Sequence, residues 1–129
     1  MATIEKFEDI EAWQAARART NLVYTISSTG AFGRDFSLRD QIRRAAISIV
    51  SNIAEGYERD GDKEFIQFLS VAKGSCGEVR ARLYLALDQK YIGDEQFAKI
   101  SGKAAEISRM ISGLIKYLRQ SELSGKKYK

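Results

Sequence analysis

The chain has 129 residues, 44% of them hydrophobic, with 21 basic and 17 acidic side chains and a net charge of +4. That length predicts one domain, residues 1–129, with enough core to fold unaided, and the composition excludes a disordered chain. There is no histidine and no proline, and Cys76 is the single cysteine. A lone cysteine forms no internal disulfide and suits a reducing cytoplasm, which is the expected location. The N-terminal MATIEKFEDIEAW carries acidic residues instead of a signal-length apolar stretch, and no apolar run reaches a membrane span.

Four helical segments are predicted. The first runs over about 8–28, with Trp13, Ala16, Thr20, Val23 and Ser27 on one face and Asp9 or the preceding residues as cap. Gly30, Gly33 and Asp35 interrupt the period, so a loop is expected there. The second helix spans about 38–56 and reads LRDQIRRAAISIVSNIAEG. Leu38, Ile42, Ala46, Ile49 and Ile53 make its apolar face, Ser37 is the candidate N-cap, and Gly56 is expected to end it in a left-handed cap.

Beside that face runs a polar line of Gln41, Arg44, Ser48, Asn52 and Glu55. Two readings stand: an interhelical hydrogen-bond network completed by Glu78, Arg80 or Arg82, or a functional face, either a subunit interface or a ligand groove.

Asp62 is placed to cap the third helix, 62–89, whose core side carries Phe65, Phe68, Leu69, Ala72, Cys76, Val79, Leu83, Ala86 and Leu87. Gly74 and Gly77 in mid-helix are each about 1 kcal/mol worse than alanine, so a close helix approach is expected there, within the protomer or from another subunit. Asp94 is the candidate N-cap of the fourth helix, 94–120, which carries a heptad-like seam of Phe97, Ile100, Ala104, Ile107, Ile111, Leu114 and Leu118. The tail, residues 121–129, is expected to be flexible. No alternating β-branched run remains, so the fold class is all-α, an antiparallel up-down four-helix bundle.

Absences bear on chemistry. Without histidine there is no Ser-His or Cys-His pair and no Glu-x-x-His di-iron motif. No phosphate-binding loop or dinucleotide fingerprint is present, so a non-enzyme without cofactor or metal is expected. The charge is placed unevenly. From Lys116 to Lys129 five cations face Glu122 alone, which equals the whole net charge, and Arg34, Arg39, Arg43 and Arg44 form a second cluster. Arg39, Arg43, Lys126, Lys127 and Lys129 are the candidate phosphate contacts. The alternative is a charged face that solvates a helix and a lysine tail that keeps the chain soluble.

The run QIRRAAISIVSNIAEGYER (Gln41 to Arg59) resembles the signature of the four-helix-bundle proteins encoded in intervening sequences of bacterial 23S ribosomal RNA. Trp13 to Tyr24, Phe65 to Leu87 and Lys90-Tyr91-Ile92 are similar to that family's first helix, third helix and last turn. One departure is Phe32-Gly33, where relatives usually carry Phe-Pro. The resemblance implies a homo-oligomer, with ring-shaped pentamers among similar bundles. It also implies kinship with an accessory subunit of diversity-generating retroelements, which binds nucleic acid and a reverse transcriptase. The expected function is thus a bacterial oligomer that binds RNA or DNA, and the alternative is an oligomeric protein scaffold.

Overall fold

The computed structural model describes residues 4–128, and side chains through Ser121. Among the described residues the chain is all-helical, with five α-helices and no strand: α1 (Glu11–Ile26), α2 (Gly30–Arg34), α3 (Phe36–Glu58), α4 (Asp62–Asp88) and α5 (Asp94–Tyr128). A 3-10 turn at Phe7–Asp9 precedes α1. The four long helices are α1, α3, α4 and α5. α3 packs on α4, α4 on α5, and α1 on both α3 and α5.

The apolar seams meet in one core. Ile42 and Ile53 of α3, Leu69, Ala72, Cys76 and Leu83 of α4, and Ile111 of α5 are fully buried. Ala16 and Val23 join them from α1, and Ile100, Ala104 and Ile107 from α5. Burying a leucine or isoleucine contributes about 1.5–3 kcal/mol, so these stripes dominate the stability of the fold.

Several boundaries differ from the sequence expectation, each for a local reason. The Gly30–Phe36 loop contains a helical turn, α2, which buries Phe32 against the core. Asp35, not Ser37, caps α3: its carboxylate accepts from the Leu38 amide at 3.1 Å. Asp9 does not cap α1 but ties the preceding turn, accepting from the amides of Glu5 (3.1 Å) and Lys6 (3.3 Å).

Gly56 does not end α3. It lies inside the helix and is buried, where a Cβ would stand 2.5 Å from Phe68 Cβ. The glycine is there because α4 crosses too closely for any side chain. Gly61, at φ 99°, precedes α4 in the cap position, and Asp62 is the first helical residue. α5 continues past residue 120 to Tyr128, since no proline stops it. α4 ends instead in a left-handed residue, Lys90 at φ 63°. The Tyr91 amide then reaches back to the Ala86 carbonyl at 2.9 Å and the Lys90 amide to Leu87 at 2.9 Å. That is the double closure of a Schellman turn, made without glycine.

Candidate nucleic-acid interface

Arg39 and Arg43 face the protein. Arg43 Nε donates to the buried Ser27 hydroxyl at 2.9 Å and its terminal nitrogen donates to Ser28 Oγ at 3.1 Å. Its guanidinium also lies over Tyr24, 4.5 Å from the ring centre. Arg39 donates to the Gly33 carbonyl at 3.1 Å and to Asp40 at 2.9 Å, and covers the exposed ring of Phe36. Arg43 therefore pins α3 to the α1–α2 connection, and Arg39 pins it to α2. A guanidinium has five donors, and each of these arginines commits two of them within the fold. The side chains of Lys126, Lys127 and Lys129 lie outside the described residues.

The polar line of α3 is divided in two. Asn52 donates from its amide to the Ser48 carbonyl (2.8 Å) and to Ser48 Oγ (2.9 Å), and Ser48 Oγ shares a hydrogen bond with Ser75 Oγ of α4 (2.8 Å). Ser75 is buried and also donates to the Val71 carbonyl. The bond between Ser48 and Ser75 is thus an interhelical network, completed by a serine and not by Glu78, Arg80 or Arg82. Gln41 bonds Ser37 Oγ, and Glu55 pairs with Arg59 at 2.9 Å on the surface. Arg44, Glu78 and Arg82 line a shallow cleft over the Ser48–Ser75 bond.

A different surface gathers cations. Between α4 and α5 lies an open groove of about 740 Å³. Ser70, Lys73, Gly74, Gly77 and Arg80 step along its α4 wall, and Ser108, Ser112, Lys116, Arg119 and Gln120 along its α5 wall. Among the described residues that line it, none is acidic and none is aromatic. Lys73, Arg80, Lys116 and Arg119 are all exposed, and none forms an ion pair among the described residues. Lys73 and Arg80 lie two turns apart, about 10 Å along the axis. Like charges in one concavity focus a positive potential and attract polyanions.

The glycines belong to this groove. A Cβ on Gly74 or Gly77 would meet nothing within 4 Å, so no helix of the protomer approaches them, and the expectation of an intramolecular contact is corrected. Their helix-propensity cost of about 1 kcal/mol each is not offset by packing inside the protomer. Cys76 shares the groove's lining but is fully buried, and burial pushes its thiol up to about 11. It is a core residue and stays protonated.

Sequence reasoning noted Lys116 and Arg119 only as part of a basic terminus, and missed Lys73. The usable signal was the recurrence of cations beside the core seam on two helices that pack together. No cluster of three or more histidine, cysteine or carboxylate side chains with metal-holding geometry occurs among the described residues. No helix among them is long and apolar enough to cross a membrane.

An all-helical protein with long, closely packed helices and a basic interhelical groove is the class these features define. The sequence profile of the 23S rRNA-intervening sequence proteins matches residues 8–113, and the chain belongs to that family. A solved structure from Bacteroides thetaiotaomicron, described as a protein of unknown function from the S23 ribosomal protein family, superposes with a TM-score of 0.75. It is 24% identical, and the match covers 81% of this chain and 98% of that one, a likeness of fold. No curated protein matches the sequence.

Proposed function

We propose that this chain is a non-enzymatic nucleic-acid-binding protein that works as a homo-oligomer, and that the α4–α5 groove is its contact surface. The observation that carries this reading is the set of four exposed cations, Lys73, Arg80, Lys116 and Arg119, around one groove whose described lining residues include no carboxylate. The phosphate contacts thereby move from Arg39 and Arg43, which are half-buried and each commit two donors within the fold, to residues that present their charge outward. The cyclic packing of α1, α3, α4 and α5 fits an antiparallel up-down bundle. A ring of five, which the family resemblance implies, would repeat the groove around the assembly and raise avidity by roughly 10²–10⁴.

The test is a salt titration of binding to structured RNA, duplex DNA and single strands. Four neutralised phosphates give a slope of about −3.6 in log affinity against log salt for each protomer engaged. Lys116→Gln with Arg119→Gln should remove about two from that slope. Arg109→Gln, an exposed α5 cation outside the groove, should not weaken it to the same degree. Absence of binding at low salt by the intact protein would overturn the reading.

One observation favours a protein scaffold as the second reading. Val71 and Leu85 on α4 are 54% and 47% exposed. Exposed apolar side chains on one helix suit a protein contact, whether a second copy or a protein such as a reverse transcriptase. Light scattering separates a self-associating protein from a monomer.

A further inference from the structure

We infer that the ligand of the α4–α5 groove is the sugar–phosphate backbone of double-stranded RNA, admitted to the groove floor by Gly74 and Gly77; this rests on the nucleic-acid reading above. Three features of the lining select that ligand. The first is the absence of aromatic side chains among the described lining residues. Proteins that hold single strands stack unpaired bases on aromatic rings, and this groove has cations without such a platform.

The second is shape. Readers of duplex DNA insert a protruding helix or ribbon into the major groove. Here the cations flank a concavity between two helices, which receives a ridge. The backbone of a duplex is such a ridge. Lys73 and Arg80, about 10 Å apart along α4, are spaced to reach different phosphates of it.

The third is the hydroxyl content. Ser70, Ser108 and Ser112 lie at or near the surface between the cations. A serine hydroxyl both donates and accepts, as a ribose 2′-hydroxyl does, and duplex RNA is recognised largely through its phosphates and 2′-hydroxyls. Among the described lining residues Gln120 is the only amide, so little base-edge reading and little sequence preference are expected.

Gly74 and Gly77 complete the argument. The space above each is empty in the protomer, so an alanine there disturbs no internal contact. What alanine would obstruct is a ligand that comes down to the α4 backbone. Their role is thus to let the ridge approach closely enough for cations on both walls to reach it.

The experiment measures anisotropy of a labelled RNA hairpin stem, a DNA duplex of the same sequence and an unpaired strand, with the wild-type protein and the Gly74→Ala/Gly77→Ala variant. Melting and light scattering are recorded on both. The wild type should bind the RNA stem tightest. The variant should melt no lower than wild type, keep its mass and bind the stem roughly tenfold more weakly, the effect of a modest steric clash. Its salt slope should become shallower, because a backbone held off the groove floor is reached by fewer of the cations. Equal stem binding by the variant overturns the role of the glycines. Equal or tighter binding of DNA or the unpaired strand overturns the choice of duplex RNA, while leaving the nucleic-acid reading standing. A variant that loses mass with unchanged affinity shows a second copy seated on the glycines, and likewise overturns the inference. Failure of the wild type to bind any of the three overturns both.

Discussion

Tyr91, after α4, donates its phenolic hydrogen to Oδ2 of Asp35, before α3, across 2.9 Å. The other oxygen of the same carboxylate caps α3. The Tyr91 ring stacks on Phe32 with centroids 5.3 Å apart, so the short α2 turn is held between the cap and the ring. One carboxylate therefore ties the start of one long helix to the turn that ends another.

Removing that bond should be measurable. Tyr91→Phe keeps the stacking and should lower the midpoint of chemical denaturation, because a hydrogen bond to a charged acceptor is lost. Asp35→Ala loses the cap as well, worth about 1 kcal/mol, and should cost more than Tyr91→Phe. A double variant whose loss equals the sum of the two singles would show that the residues are not coupled.

The same bond sets a pH dependence. Donation to the Asp35 carboxylate, with partial burial and the charge of Asp35, raises the Tyr91 pKa above the ordinary tyrosine range. The raised value means the folded state holds the proton more tightly than the unfolded chain. Its contribution is complete below the unfolded tyrosine pKa and is lost as pH rises through the folded value. Ultraviolet titration should show one late-titrating tyrosine, absent in Tyr91→Phe and returned toward the ordinary range in Asp35→Asn.

Gly56 and Lys90 invert each other's chemistry. Gly56→Ala forces a Cβ against Phe68 and should cost about 1–3 kcal/mol, the range for overpacking. Lys90→Gly should instead stabilise, since a left-handed residue with a side chain is strained by about 1–2 kcal/mol. Part of that gain is offset by the greater freedom of glycine in the unfolded chain. Thermal melting of the two variants should shift in opposite directions.

The helices themselves were legible because their seams repeat: Ile42, Ile49 and Ile53, or Ile100, Ile107 and Ile111, can face only one way. Gly56 was misread because a glycine near a helix end looks the same whether it caps the helix or admits a neighbour. Only the position of Phe68 separates the two cases. Asp35 and Ser37 are both good caps two residues apart, and the bond from Tyr91, 56 positions away, accompanies the choice of Asp35. The groove was hidden for a similar reason. Its cations lie between positions 73 and 119 and share a surface only because α4 and α5 pack together. Arg39 and Arg43, by contrast, lie one turn apart on α3, and the sequence does not show that Tyr24, Ser27 and Ser28, at and after the end of α1, engage Arg43.

The Ser48–Ser75 bond gives the last expectation. Asn52 donates to both the carbonyl and the hydroxyl of Ser48, which leaves the Ser48 and Ser75 hydroxyls to each other across the helix interface. Asn52→Ala removes two donors from Ser48 but leaves its carbonyl in the α3 ladder and its hydroxyl paired with Ser75. The loss should therefore fall near 1 kcal/mol, the typical net worth of a hydrogen bond. Ser75→Ala deletes the buried interhelical partner and should cost a similar amount. Ser75→Leu is the sharper variant, because a large side chain at a 4% exposed position must push α3 and α4 apart. Denaturant unfolding should rank the losses with Ser75→Leu largest. Equal stability of Ser75→Leu and wild type would show that this stretch of the α3–α4 interface is not packed as described.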